Sequence, residues 1–291
     1  MVTLKDYEYY AGLARQGNGL EMVCIAMNVK EDDRLAYLNY TEEHYKEWIE
    51  ESHAINPVYL DDFEPRNYKN FISGVGFEPD IVREEYFALW AFSPPPVTYM
   101  TLNWNVAALG PFTQQARAGR ALRNEAVFTK ILPYSGIDRK SHAKFHGDTE
   151  EQAVDHPHSF VWYPVHEHVS DENSTIVAFM TAAMAWDTAM RNLIPEGVTG
   201  IHAVIKNTCG DVFTYLIDGP HATFQGYIDA HEESYHEMGL SLSLAVYDNP
   251  EYPTNPDHCQ YSMVRDRTHI AVATQILWLI VVFIHFSGPL P

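Results

Sequence analysis

The chain has 291 residues, 46% of them hydrophobic and 13% aromatic, which excludes a disordered protein and supplies enough apolar side chains for a sizeable core. Its formal charge is −20, from 39 acidic against 19 basic residues, and no basic block occurs; such a surface repels phosphate and excludes nucleic acid as a partner. Three cysteines, Cys24, Cys209 and Cys259, are too few for a disulfide framework and do not by themselves fix the compartment.

No N-terminal signal peptide is visible, because Met1-Val-Thr-Leu-Lys-Asp6 runs into tyrosine and charge instead of an apolar stretch. Residues 20–29 form a short apolar run that predicts a first strand, with Cys24 in its core. Residues 35–54 predict a helix: Leu38, Thr41, Tyr45, Trp48 and Ile49 fall on one face, and Glu42, Glu43, Lys46, Glu47, Glu50 and Glu51 supply the wet side. Residues 60–83 are acidic and punctuated by Gly and Pro, which predicts loops. Residues 86–92 predict a strand. Ser93-Pro-Pro-Pro96 must be extended, because three prolines remove three donors and fix φ. Residues 97–106 predict another aromatic strand.

Gly110-Pro111 opens a second amphipathic helix, with Phe112, Ala116, Gly119, Leu122 and Ala126 facing inward. Arg117, Arg120 and Arg123 give it a basic side, read either as a solvated face pairing with carboxylates or as an anion-contacting one. Residues 127–132 and 159–164 predict strands, the second with three aromatic residues. Residues 175–186 form an apolar run too short to span a bilayer, a central strand that feeds a helix from Asp187 to Leu193 stopped by Pro195 and Gly197. Residues 201–206 and 212–218 alternate like two strands around the turn Asn207-Thr-Cys-Gly210. Strand, strand, helix, strand, strand predicts an antiparallel sheet with a helix packed on it, an α+β architecture that resembles a PAS-like sensor module. Residues 248–258 are a second acidic, Pro-rich loop.

Residues 270–286 contain no Asp, Glu, Lys or Arg and span about 25 Å as a helix, short of the roughly 30 Å of a hydrocarbon core. They are a candidate transmembrane helix, with a buried C-terminal segment as the alternative. Arg265 and Arg267 precede them, and the positive-inside rule would put the preceding domain on the cytoplasmic side.

Specific chemistry is sparse. Fifteen histidines include His156-Pro-His158 and His166-Glu-His168, each pair on one face of a strand, but no third ligand lies nearby to complete a metal set. His231 and His236 are five apart, which turns the second imidazole about 140° from the first and rules out a zinc-protease helix. No nucleophile elbow, P-loop or dinucleotide fingerprint occurs. Cys209, in the hairpin turn, and Cys259, in the acidic loop, either form a bridge contributing about 4 kcal/mol or remain two free thiols. Asn39-Tyr-Thr41 and Asn173-Ser-Thr175 are glycosylation sequons. The absence of a recognisable catalytic set favours a binding module.

An ordered series of short stretches resembles the extracellular sensor region of the receptor-type guanylate or adenylate cyclases of diatoms and related marine eukaryotes. It comprises Gly19-Leu-Glu21, Glu47-Trp-Ile-Glu-Glu-Ser52, Ser93-Pro-Pro-Pro-Val-Thr-Tyr99, Asn103-Trp-Asn105, Ala121-Leu-Arg123, Asp155-His-Pro-His158 and Pro164-Val-His-Glu-His168. It continues through Leu193-Ile-Pro-Glu-Gly197, Asn207-Thr-Cys209, Phe213-Thr-Tyr215, Ile217-Asp-Gly219 and Cys259-Gln-Tyr-Ser262. The layout is also similar to a CHASE domain, an extracellular small-ligand sensor.

The resemblance implies an α+β fold of N-terminal helices and PAS-like antiparallel sheets. It implies a helical stalk part over 1–85, a membrane-distal part over 86–164, a membrane-proximal part over 165–265 and a membrane helix over 270–286. It places 1–265 outside the plasma membrane, in a homodimer, relaying a small-molecule signal to a cyclase domain that in the family lies beyond residue 291. The chain itself is expected to catalyse nothing and to need no cofactor or metal. The ligand region carried over comprises Leu102, Trp104, Arg123, Val127, Thr129, Ile131, Phe160 and Trp162. No residue matches the family's ligand-contacting acidic position, so the ligand's identity does not carry over. The competing expectations are ordinary core packing at each of these residues, in a ligand-free structural or dimerisation ectodomain, and a soluble enzyme of another type.

Overall fold

The computed structural model describes residues 5–57, 70–96, 101–108, 112, 116, 119–120, 126–129, 132–133, 157–168, 171, 173–199, 201–206, 211–227 and 242–243. Its helices are α1 (Tyr7–Asn18), α2 (Arg34–Ile55) and α3 (Trp186–Met190). Its strands are β1 (Leu20–Lys30), β2 (Glu85–Ser93), β3 (Val127–Phe128), β4 (Leu132–Pro133), β5 (Pro157–His166), β6 (Ile176–Ala185), β7 (Ile201–Lys206), β8 (Val212–Asp218), β9 (His221–Tyr227) and β10 (Leu242–Ser243). The class is α+β, as the sequence predicts.

The larger sheet is antiparallel throughout and runs β2-β1-β6-β5-β3, with β4 also on β5. Its first strand and its last in sequence, β1 and β6, are neighbours at the centre, so the sheet cannot form until the chain has returned across most of its length. Residue ranges 1–85, 86–164 and 165–265 each contribute strands to it. The smaller sheet runs β10-β7-β8-β9 and is antiparallel except for the short parallel β10–β7 pairing.

Long apolar runs produce the central strands. In β2 every residue after Glu85 is buried, and in β6 Ile176, Ala178, Phe179, Thr181 and the run from Ala183 to Ala185 are buried. The α2 stripe is buried as its spacing predicts: Leu38, Thr41, Tyr45, Trp48 and Ile49 all face inward. Tyr37 and Leu38 pack with Val29, Tyr86 and Ala88, and the Trp48 ring meets Trp90 at 5.9 Å and Phe92 at 6.3 Å. Full burial of side chains of this kind is worth about 1.5–3 kcal/mol each.

Three expectations are corrected. Residues 101–108 do not make a strand. Asn103 has φ 59°, only single bridges join Trp104 and Asn105 to Ser73 and Ala88, and Val106–Ala108 closes as a 3-10 turn. The strand expected over 127–132 is broken into β3 and β4, two residues each, both paired with β5. The helix expected from Asp187 to Leu193 starts at Trp186 and ends at Met190, because Arg191 is extended and Asn192 turns to φ 58°. Three elements go beyond the sequence reading, α1, β9 and β10.

Among the described residues no helix is long and apolar enough to cross a membrane. Residues 270–286, Cys209 and Cys259 lie outside the described residues.

Candidate functional site

Cross-strand partners point to the same face of a sheet, and residues two apart on a strand do too. Val127 is opposite Trp162, Trp162 is opposite Thr181, and Phe160 is two residues from Trp162. On the same face, Phe179 is opposite Ala26, and Asn28, two residues on, is opposite Phe87. The register therefore gathers Phe87, Phe179, Trp162, Phe160 and Val127 on one side, the side away from α2.

Strands β2 and β5 are separated by two others, an in-sheet distance of about 14 Å. Their rings nonetheless converge: Phe87 and Trp162 have centroids 6.4 Å apart, with Phe179 between them at 5.2 Å and 5.5 Å. The segment holding Phe112, Ala116, Gly119 and Arg120, helical at those positions, closes over this face. Phe112 meets Phe160 edge-on at 5.0 Å and Trp162 at 5.9 Å. Arg120 stands over the Phe87 ring at 5.1 Å and pairs with Glu85, and burial lowers its pKa. For Arg120 the carboxylate-pairing reading of the basic side is the one observed.

Two polar atoms on this face are buried without a partner among the described residues, Asn28 Oδ1 and Trp162 Nε1. Trp162 is 1% exposed, and its indole Nε1–H is buried with no hydrogen-bond acceptor. A buried, unmet donor costs roughly 1–3 kcal/mol. Two other indoles are satisfied, Trp104 Nε1 donating to the Gly74 carbonyl at 3.1 Å and Trp186 Nε1 to Ser159 Oγ at 2.9 Å, whereas Trp48 Nε1, on the α2 side of the sheet, is buried without an acceptor like that of Trp162.

The residues carried over by resemblance separate into two groups. Val127, Thr129, Phe160 and Trp162 lie together at the β3–β5 edge. Thr129 clasps Phe160 through both backbone and hydroxyl, its N–H donating to Phe160 O at 2.9 Å and its Oγ1 accepting from Phe160 N at 3.0 Å. Leu102 and Trp104 are buried at the opposite edge, on the segment bridged to β2, where Trp104 packs on Phe77 at 5.6 Å. Arg123 and Ile131 lie outside the described residues. Phe87, Phe112 and Phe179 belong to the same aromatic group but were missed. Phe87 and Phe179 sit in unbroken apolar runs, where no pattern marks which face a ring takes, and Phe112 was legible only as an inward helix position.

Elsewhere His158 is fully buried with Nε2 3.0 Å from Glu21 Oε1, and His166 and His168 stand at the other end of β5. Among the described residues no three His, Cys, Asp or Glu side chains are placed to hold a metal. Of the sequons, Asn173 is exposed in a turn. Asn39 is exposed on α2, but Thr41, two residues on, is buried and its hydroxyl donates to Leu38 O at 3.0 Å.

No protein-family model matches the chain, and no curated protein matches it significantly.

Proposed function

We propose that the chain is a small-ligand sensor, the CHASE-like ectodomain of a membrane-bound receptor nucleotide cyclase, with the aromatic face of the larger sheet as its binding region. The observation that carries the reading is the unmet Trp162 donor among five aromatic rings. An uncharged, flat molecule carrying one hydrogen-bond acceptor would satisfy that donor and stack on the same rings. The antiparallel sheet with its first and last strands side by side supports the PAS-like part of the reading. The resemblance supplies the rest: residues 1–265 outside the plasma membrane, anchorage through 270–286, a homodimer, and a cyclase domain beyond residue 291.

Ligand binding would favour one of two packings of the covering segment on the sheet, and that bias would pass to the membrane. The test is a thermal-shift screen of the full chain against small uncharged planar metabolites. The reading expects at least one compound to raise Tm in proportion to the logarithm of its concentration, and a screen with no such compound contradicts it.

A second reading, a ligand-free structural or dimerisation ectodomain, is favoured by one contact. A Cβ at Gly119 would lie 2.6 Å from Phe179 Cε1, so the covering segment already sits against the rings. The same screen separates the two, because a ligand-free core gives no shift.

A further inference from the structure

Helix α3 is only five residues long, yet it touches strands of both sheets and the turn between α1 and β1. Trp186 reaches both sheets: its Nε1–H donates to Ser159 Oγ on β5 at 2.9 Å, and its ring meets Phe213 on β8 edge-on at 5.6 Å. Ser159 and Phe213 are both fully buried. The next residue, Asp187, is 3% exposed, pairs with Arg191 at 3.2 Å and helps burial to raise the Tyr215 phenol of β8. On the other side, Gly19 at φ 62° has no room for a Cβ, which would fall 2.7 Å from Thr188 Cγ2. The chain after α3 is tied to the β8–β9 turn, since Asn192 N donates to Pro220 O at 2.9 Å and Gly219 N to Val198 O at 2.7 Å.

We infer that Trp186 is a joint that couples the two sheets, holding the start of β5 by its N–H and β8 by its ring. A displacement of β5 at Ser159 cannot occur without rotating or unpairing the Trp186 indole, and rotating that ring disturbs its packing on Phe213. Trp186 thus acts as a positioning residue. The joint does not depend on where a ligand binds, or on whether one does, so it stands or falls separately from the sensor reading.

Hydrogen exchange of the full chain, read by mass spectrometry, tests it through a double-mutant cycle. Ser159→Ala removes the acceptor, and Trp186→Phe removes the donor while keeping a ring against Phe213. Each is expected to speed exchange of the β8–β9 amides about tenfold, at the other side of the indole from the lost bond, and to leave β1 within about twofold of wild type. The double variant should be no faster than the faster single one, because both changes break one bond. Three results would overturn the inference: equal acceleration in β1 and β8–β9, unchanged β8–β9 exchange, or effects that multiply in the double variant.

Discussion

Glu8 and Asp80 are two carboxylates whose surroundings push them in opposite directions. Glu8 is 2% exposed on α1; burial raises its pKa, outweighing hydrogen bonds from Asn56 and Ser93 and the charge of Arg15, 3.8 Å away. A carboxyl whose folded pKa is raised contributes most below the ordinary carboxylate range, and that contribution fades as pH climbs to the raised value. Glu8→Gln keeps an oxygen for Asn56 and cannot ionise. It should therefore flatten the fall in stability that sets in as pH rises above the ordinary carboxylate range, as read from denaturant midpoints at each pH. For Asp80 burial also raises the pKa. It is outweighed by Arg83 at 2.8 and 3.1 Å, Asn105 at 2.6 Å and the Ile81 N–H at 2.9 Å, so the net shift is downward. Its contribution is present above the ordinary carboxylate range and is lost as pH falls through the lowered folded value. Asp80→Ala leaves the Asn105 amide without its acceptor and should cost about 1–3 kcal/mol at neutral pH, measured by urea unfolding. The variant should also lose the acid sensitivity that Asp80 confers.

At the scale of elements, the covering segment and the aromatic face meet with no slack. Gly119→Ala should cost about 1–3 kcal/mol by calorimetric Tm, because the Phe179 ring it strikes is held between Phe87 and Trp162. Which elements were legible in sequence follows from how they bury their residues. β1, β2, β5 and β6 announce themselves as apolar runs, and α2 by a clean inward stripe. α1 was hidden because its buried face carries Glu8 and Arg15, which meet each other, Asn56 and Ser93, so the expected apolar period is broken by polar side chains. β9 was hidden because its residues alternate between exposed and half-buried, with Gly226 at φ 126° beside a bulge. Residues 101–108 misled in the other direction. Their aromatic alternation looks like a strand, but Asn103 turns left-handed, and the Asn105 side chain takes the Phe87 N–H at 2.9 Å where a strand would offer backbone.

At the scale of the whole molecule, the class was readable from the order of elements, whereas the strand order was not, because β1 and β6 pair residues that are all more than 150 positions apart, from Leu20 with Met184 to Met27 with Ala178. The candidate site depended on that same adjacency. Phe160 and Trp162 could be picked from their strand, but Phe87 and Phe179 join them only once β1 and β6 pair. Leu102 and Trp104, close in sequence to β2, end at the far edge of the sheet. The central claim is that the unmet Trp162 donor marks a ligand site. The most direct measurement is the thermal shift of wild type and Trp162→Phe with the same compound, since the variant keeps a ring and loses only the indole and its N–H. The account predicts a rise of about 5 °C for wild type at a hundredfold excess over Kd, and a shift in the variant smaller by the equivalent of about a tenfold loss of affinity. Equal shifts in the two proteins, or none in wild type with any compound, would contradict it.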